Sequence, residues 1–360
     1  MGQRKHTVLS ESWILNHQGL GLMLRSAKKN KVHRKDVAKK AGVSPSTVSR
    51  AINDNPSIPV STRNRVKKIA EELGYVPSHL GRNYYQKKSF RIGIVMPFNY
   101  DKKVRVFPTE YFSKVLFGAL LSASREGYTI NIIADSGFSS QELEKLVLSH
   151  SVDGLIFPVC KIGDNRFSYL YKKGIPFIFI HYYVRNKPYL YVDCDSKPGM
   201  EESLQYLSSK KINRIGFLGG DEEYINAIDR KKIFIDLARK YKMKVVNMVN
   251  GNFSRTSGFL AVKEFLKKEL PEAIVCANDR MAFGLLEGLK KENVRIPDAV
   301  RIIGFDNQDI ATLTSPPLTT IENPFFEIGK LSTSKLIHFI KGMDVKSERV
   351  ASKLIIRESA

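Results

Sequence analysis

The 360-residue sequence predicts a small all-α unit near the N-terminus, followed by an α/β core of two similar lobes. Short helical segments fill the region from Val32 to Ser89, whereas apolar β-rich runs alternate with helical stretches from Arg91 onward. Such alternation is typical of parallel sheets built from βαβ units. A weak internal repeat supports two lobes, because Arg91-Ile-Gly-Ile-Val and Arg214-Ile-Gly-Phe-Leu each begin such a series.

Eight strands are predicted in two consecutive series. The first series comprises 91–97, 129–135, 152–158 and 175–181, and the second comprises 214–220, 244–249, 273–278 and 301–306. In open parallel sheets, ligands bind beyond the carboxyl ends of the strands. Two facing lobes therefore predict a small-molecule cleft between them.

Positive charge is concentrated in the N-terminal quarter of the chain. The whole chain has a formal net charge of +22, and residues 1–90 hold 18 Lys and Arg against 5 Asp and Glu. This excess favours contact with a polyanion such as nucleic acid. A solubilising or disordered basic tail remains the alternative on charge alone.

The cysteine and hydropathy patterns restrict the class of protein. Cys160, Cys194 and Cys276 are widely spaced, which favours a reducing, cytoplasmic compartment and argues against a disulfide framework or a zinc site. We expect no cofactor, and no membrane span because no run of about 18 apolar residues occurs. The first 30 residues do not resemble a signal peptide, and we expect residues 1–31 to be a disordered extension.

Residues 36–53 predict a helix-turn-helix. Gly42 suits the end of one helix, and Ser44 with Pro45 suits the start of the next. The start of the second helix enters the major groove in such motifs, where Arg50 can donate two hydrogen bonds to guanine. Pro45, Ser46, Thr47, Ser49 and Arg50 are predicted to be exposed there. The candidate DNA-binding residues of this motif are these five and Asn53. A small helical bundle with a solvated basic face is the alternative.

The segment Val37-Ala-x-x-Ala-Gly-Val-Ser-x-x-Thr-Val-Ser-Arg-x-x-Asn53 resembles the DNA-binding headpiece of the lactose/galactose repressor family. The resemblance continues in Gly74-Tyr-Val-Pro77, Ala277-Asn-Asp279 and Ile303-Gly-Phe-Asp306, and covers nearly all of residues 32–360. It implies a periplasmic-binding-protein-like type I core of two Rossmann-like lobes joined by three crossovers. The implied domains are a headpiece at 32–77, a hinge helix at 78–90, an N-lobe at 91–194 and about 321–342, and a C-lobe at 195–320 with the C-terminus.

The resemblance also implies the partners. Members of the family are homodimers whose headpieces bind pseudo-palindromic operators in double-stranded DNA. The hinge contributes a Leu to the minor groove, and here Tyr84 occupies that position while Gly81 replaces the usual Ala. We therefore expect Tyr84 to contact DNA. Met281, Leu285 and Leu286 fall on a helix that helps the family dimerise, but they suit the core equally well.

Five residues match effector-binding positions of the family: His181, Arg230, Phe253, Asn278 and Asp306. Carboxylate and amide groups bind hydroxyls, and an aromatic face covers a sugar ring, so a sugar fits this set and a nucleobase fits it also. Each residue has a structural alternative. Asn278 suits a helix cap, Asp306 an ordinary turn and Phe253 the core.

The sequence thus predicts a sequence-specific DNA-binding regulator, a repressor, whose operator affinity a small molecule modulates. A binding protein of the transport type is the alternative, but it predicts a signal peptide and no headpiece. An α/β enzyme is disfavoured, because neither G-x-x-x-x-G-K-[ST] nor a G-x-G-x-x-G after a strand occurs. We expect a nucleoid-associated cytoplasmic protein without catalytic activity.

Overall fold

The computed structural model describes residues 32–75, 88–97 and 110–360. The extension at 1–31, Tyr84 and most of the expected hinge lie outside the described residues. The helices are α1 (Arg34–Ala41), α2 (Pro45–Ile52), α3 (Val60–Glu72), α4 (Glu110–Arg125), α5 (Ser140–Leu148), α6 (Arg166–Lys172), α7 (Ser196–Ser209), α8 (Ile225–Lys240), α9 (Arg255–Leu266), α10 (Asp279–Lys291), α11 (Ile310–Leu313) and α12 (Phe325–Ile340). The strands are β1 (Arg91–Pro97), β2 (Thr129–Asp135), β3 (Gly154–Phe157), β4 (Phe177–Ile180), β5 (Leu190–Asp195), β6 (Arg214–Gly219), β7 (Lys244–Asn250), β8 (Ala273–Cys276), β9 (Arg301–Asp306), β10 (Thr319–Glu322), β11 (Glu348–Ala351) and β12 (Lys353–Ile355).

The N-terminal unit is a bundle of α1, α2 and α3. Val37, Val48 and Val66, one from each helix, are fully buried at its centre. Gly42 ends α1 with a φ of 64°, a left-handed conformation that glycine adopts without steric cost. The Ser44 hydroxyl accepts a hydrogen bond from the Thr47 amide at 3.1 Å and so caps α2. The chain divides into two compact units at residues 88 and 89, and this bundle belongs to the first.

Two six-stranded sheets form the second unit. Their strand orders are β11-β5-β4-β3-β1-β2 and β12-β10-β9-β8-β6-β7, and every pair is parallel except β10 with β12. In β1, Ile94 packs into the larger apolar cluster while its neighbour Val95 packs into a separate one. Both faces of the sheet are therefore covered, as a parallel sheet requires.

Three segments cross between the sheets, after β5, after β10 and between β11 and β12. Ser352, which is 3% exposed, connects the first and third crossings. Its hydroxyl donates to the Asp195 carbonyl at 2.7 Å and accepts from the Gly199 amide at 3.1 Å. The two crossings are thus held together by a buried hydroxyl.

The predicted return segment of the N-lobe, at about 321–342, is wrong at both ends. Ile321 and Glu322 belong to β10, which pairs with β9 in the C-lobe sheet. The segment returns with α12 and continues through β11, which pairs with β5. The short strands β5, β10, β11 and β12 were not predicted, because three to six residues with interspersed polar side chains give little periodicity.

Met281, Leu285 and Leu286 lie in the core of one protomer. Their exposed fractions are 0%, 0% and 4%, because α10 packs closely on α9. The Cβ of an alanine at Gly258 would overlap the Met281 carbonyl oxygen. Of the two roles left open for these residues, the structure shows the core role.

Glycines set the closest helix contact of the N-lobe. An added Cβ on Gly118 of α4 would overlap the Phe326 carbonyl oxygen, and one on Gly329 of α12 would overlap that of Val115. The helices approach each other at backbone distance, so a side chain at either position forces them apart.

We predict that Gly118→Ala lowers the free energy of unfolding of the core by about 2 kcal/mol, because overpacking against backbone has no flexible side chain to yield. Urea unfolding followed by circular dichroism measures the change. Ser124→Ala, at an exposed position of the same helix, is the control and changes stability little. Equal stability of the two variants would contradict the close crossing.

Candidate DNA-binding and effector-binding sites

The start of α2 presents an exposed polar surface. Ser46 and Arg50 are exposed, and Pro45, Thr47 and Asn53 are partly buried. Among the described residues Arg50 has no ion pair, whereas nearby Lys67 pairs with Asp54 at 2.7 Å. The Arg50 guanidinium is therefore available to an external acceptor.

The predicted exposure of Ser49 is wrong. Ser49 is only 9% exposed, because it belongs with Val48 and Ala51 to the side of α2 that packs into the bundle. The side-chain Nδ2 of Asn53 donates to the Ser49 carbonyl at 2.9 Å and holds the end of α2. Asn53 thus has a local structural role, whereas Ser46 and Arg50 keep their polar atoms at the surface.

A cavity of about 350 Å³ lies between the two lobes. Residues that follow the carboxyl ends of strands line it from both sheets, as expected for open α/β sheets. The five predicted effector residues, His181, Arg230, Phe253, Asn278 and Asp306, all line this one cavity.

Arg230 and Asp306 form its buried charged floor, with exposed fractions of 3% and 8%. Arg230 Nη2 lies 3.6 Å from Asp306 Oδ1, and its Nη1 donates to the Ala277 carbonyl at 2.6 Å. The guanidinium carbon lies 3.7 Å from the centroid of the Phe305 ring, a cation–π contact. Burial raises the pKa of Asp306, and the Arg230 charge opposes that rise.

His181 is fixed by a carboxylate behind it. Its Nδ1 lies 3.1 Å from Asp193 Oδ1, while the Cys194 amide donates to the same oxygen at 2.8 Å. The backbone at His181 has a φ of 55°, which is uncommon for a residue with a side chain. The carboxylate contact and the backbone together hold the imidazole at the cavity wall.

Asn278 has the capping role that was its alternative. Its Oδ1 accepts from the Met281 amide at 2.9 Å and caps α10, and its Nδ2 donates to the Phe253 carbonyl at 3.0 Å. Phe253, with a φ of 62°, places its ring so close to Gly220 that any Cβ there would overlap it. Asn278 therefore positions the aromatic wall of the cavity.

Sequence reasoning missed several cavity residues, notably Tyr111, Asn226, Asn323 and Phe325. Asn226 precedes Arg230 by four residues on α8, so helical spacing was a usable signal. Asn323 follows β10, a strand that was not predicted, and gave no comparable signal. Tyr111 donates to the Pro158 carbonyl at 2.5 Å, and burial raises its pKa well above the usual value.

Four cavity-lining residues carry a buried polar atom without a hydrogen-bond partner among the described residues: His181 Nε2, Asn226 Oδ1, Arg230 Nε and Asn323 Oδ1. Leaving a buried polar group unpaired costs about 1–3 kcal/mol. Their concentration around one cavity indicates a site built for a polar molecule.

Hydrogen bonds connect the lobes around the cavity. Ile162 donates its amide to the Glu223 carbonyl at 2.9 Å, and the Tyr183 hydroxyl donates to Asp229 at 2.9 Å. The Asp309 amide donates to Glu110 Oε2 at 2.7 Å. These contacts hold the two lobes together across the cleft.

Comparison with known proteins identifies the family. The model of bacterial regulatory proteins of the lacI family matches residues 35–78, and that of the periplasmic binding protein-like domain matches residues 204–360. The chain is 30% identical over 341 residues to the HTH-type transcriptional repressor CytR of Escherichia coli strain K12, covering 90% of this chain and 95% of the relative. The chain belongs to the lacI family.

Other known proteins match this chain with similar coverage. Catabolite control protein A of Priestia megaterium is 28% identical over 326 residues, covering 88% of this chain and 94% of the relative. The crystal structure of the lac repressor dimer bound to operator and the anti-inducer ONPF has a TM-score of 0.76 at 22% identity, covering 92% of this chain and 99% of that one. A transcriptional regulator CelR–cellobiose complex has a TM-score of 0.69 at 24% identity, covering 91% and 100%.

Membership of the lacI family confirms the predicted fold class and the main functional interpretation. The chain is a DNA-binding transcriptional regulator with an effector-binding core, and the transport-type alternative is not supported. Its relatives are transcriptional repressors rather than enzymes. Within the described ranges, no helix is long and apolar enough to span a membrane, and no group of three metal-ligating side chains occurs.

The lacI-family motif Ala277-Asn-Asp279 places a fully buried acid at the start of α10, next to the cavity residue Asn278. Asp279 accepts from the Thr320 hydroxyl at 2.5 Å and from the Gln308 amide at 2.7 Å. Burial raises its pKa well above the usual value, and the Asp306 carboxylate adds to this. An acid whose pKa is raised by folding stabilises the folded state at low pH, and that contribution is lost as pH rises.

We predict that Asp279→Asn, which removes the titration, gains stability relative to the wild type as pH rises from about 4 toward 7, since an ordinary Asp titrates near 4. Unfolding free energies at several pH values measure the difference. Asp236→Asn, an exposed acid on α8, is the control and gives a nearly constant difference. A constant difference for both variants would contradict the raised pKa.

Proposed function

We propose that this chain represses transcription as a homodimer on a pseudo-palindromic operator, and that a small polar molecule in the interlobe cavity modulates its DNA affinity. The observation that carries the effector proposal is the set of four buried polar atoms around the cavity that have no hydrogen-bond partner within residues 32–75, 88–97 and 110–360. The solved lac repressor dimer on operator and the CelR complex with cellobiose support it. A two-fold dimer matches a two-fold operator.

On the DNA side, the headpiece supplies charge and base contacts separately. Lysines and arginines of the basic N-terminal region neutralise phosphates, which gives affinity that falls as salt concentration rises. Arg50 and Ser46, the exposed polar residues of α2, contact base edges. Pro45 and Thr47 flank them, Asn53 and Ser49 support the helix, and Tyr84 contacts the minor groove.

On the effector side, the lobes act as a clamp. Arg230, Asp306 and His181 bind polar groups of the ligand, and Phe253, positioned by Asn278, covers its apolar face. The ligand is a sugar or a nucleobase-containing molecule. It changes DNA affinity only to the extent that it binds one lobe arrangement better than the other. The protein carries out no catalysis and works in the cytoplasm, at the nucleoid.

We predict that Arg50→Ala weakens binding to the preferred operator by about tenfold or more, because a bidentate guanine contact contributes about 1–3 kcal/mol of discrimination. A duplex selected from a random library by the wild-type protein serves as the operator, and its scrambled sequence measures non-specific binding. Fluorescence anisotropy over a range of salt concentrations gives both affinities.

Arg125→Ala is the matched control, since it removes the same charge from an exposed position at the end of α4, outside the headpiece. It leaves the ratio of specific to non-specific affinity unchanged, whereas Arg50→Ala lowers that ratio. An unaltered ratio in Arg50→Ala would show that Arg50 does not contact bases.

We also predict that at least one molecule among galactose, cellobiose, cytidine and adenosine raises the melting temperature and alters operator affinity, since a ligand of the native state stabilises it. Phe253→Leu raises the concentration needed for half of the effect by about two- to tenfold, because an aromatic contact contributes about 0.5–1.5 kcal/mol. Phe339→Leu, at an exposed position of α12, leaves it unchanged. A response that survives Phe253→Leu intact would place the effector elsewhere.

A further inference from the structure

We propose that the cavity selects an uncharged ligand that presents hydrogen-bond donors and rejects anionic ligands, and that this preference is set by Asp193, as a positioning residue, and by Asp306, which also lines the cavity. The inference rests on the proposed effector role of the cavity. Its basis is the direction of each hydrogen bond around the cavity wall, because a carboxylate only accepts and so determines which atom of its neighbour remains free.

Asp193 fixes the first acceptor. Its Oδ1 lies 3.1 Å from His181 Nδ1, so that nitrogen must carry the proton. A neutral imidazole protonated at Nδ1 has a lone pair on Nε2. His181 Nε2 is buried without a partner among the described residues, and His181 lines the cavity. A ligand bound to the neutral ring must therefore donate to this nitrogen.

Asp306 fixes the second acceptor by the same rule. Asn323 donates Nδ2 to Asp306 Oδ1 at 3.3 Å, which settles the orientation of the amide. Its Oδ1 is then the remaining atom, and it too is buried without a partner in the described part of the chain. Each of the two carboxylates thus accepts a hydrogen bond from a cavity side chain, His181 or Asn323. The hydrogen-bond acceptor of that side chain remains available to the ligand.

The remaining unpartnered atoms add to the same preference. Asn226 Oδ1 is a third acceptor, and Arg230 Nε is the one donor among these four atoms. Hydroxyl, amine or amide N–H groups satisfy the acceptors, whereas a carboxylate or phosphate oxygen satisfies none of them.

Charge leads to the same conclusion. The Arg230 guanidinium already faces Asp306 at 3.6 Å, and Arg349 Nε lies 3.7 Å from Asp193 Oδ2. An anion at the cavity floor would lie near these two carboxylates and would compete for Arg230, which is unfavourable in a buried site. Arg280 also lines the cavity but is exposed, so solvent screens its charge.

The tautomer of His181 is tested without any ligand. Long-range ¹H–¹⁵N correlation spectra of the full chain at mildly alkaline pH distinguish a protonated from a bare ring nitrogen, and His181→Gln assigns the signal. We expect the proton on Nδ1 and a bare Nε2. Asp193→Ala removes the carboxylate that accepts from Nδ1, and we expect the proton to move to Nε2, whereas Asp236→Ala leaves it on Nδ1. A proton on Nε2 in the wild type overturns the proposal.

Ligand charge is tested with matched pairs that share one scaffold: galactose with galacturonate, glucose with glucose 6-phosphate, and cytidine with cytidine 5′-monophosphate. Thermal shift and calorimetry measure binding to the full-length protein. For every scaffold that binds, we expect the uncharged member to bind at least tenfold more tightly. In Asp193→Ala that affinity falls at least threefold, and in Asp236→Ala it is unchanged.

Tighter binding of the anionic member overturns the proposal. The proposed effector site fails separately: if no scaffold binds or alters operator affinity, the assignment of the cavity as a site for sugars or nucleosides is contradicted. The tautomer experiment still decides the polarity of the wall in that case, so the two failures are distinguishable.

Discussion

The carboxyl ends of parallel strands lie along the same edge of a sheet. The interlobe cavity depends on two such edges, one from each lobe, facing each other. Three crossings connect the sheets, and Ser352 holds the first and third together with two buried hydrogen bonds. Residues as distant in sequence as Tyr111 and Asn323 therefore meet in one cavity of about 350 Å³. Without fixed crossings, the lobes would carry the same side chains on separate surfaces, and the buried acceptors would be solvated rather than held for a ligand.

The cavity wall is costly for the fold, which supports a binding role. His181, Phe253 and Asp306 have φ values of 55°, 62° and 112°, and each strained residue of this kind costs of the order of 1–3 kcal/mol. The buried Arg230–Asp306 pair adds a desolvation penalty that its separation of 3.6 Å does not fully offset. In addition, four buried polar atoms of cavity-lining residues have no hydrogen-bond partner among the described residues. A purely structural floor would be more stable if it were apolar.

Much of the fold was predictable because its signals are local. Strands β1, β2 and β9 have the predicted limits, since each combines an apolar run with clear flanking turns. The return of the chain to the N-lobe was misplaced, because pairing of β11 with β5 joins residues more than 150 positions apart and leaves no local pattern. The absence of a local signal also explains why the effector site was only partly predictable. His181, Arg230, Phe253, Asn278 and Asp306 followed from family motifs, but the hydrogen-bond directions set by Asp193 and Asp306 follow only from three-dimensional contacts.

Residues 89 and 90, which lead from the headpiece side into β1, are attached to the N-lobe. The amides of Ser89 and Phe90 donate to the two carboxylate oxygens of Asp153, at 2.6 and 2.9 Å, directly before β1. A buried carboxylate that accepts several hydrogen bonds holds a backbone firmly, because hydrogen bonds to an ionised acceptor are strong and losing one leaves a buried donor unpaired. Residue 89 is thus attached to the N-lobe and moves with it. Since contacts such as Tyr183 with Asp229 cross the cleft, a ligand that favours them alters where this attachment point lies.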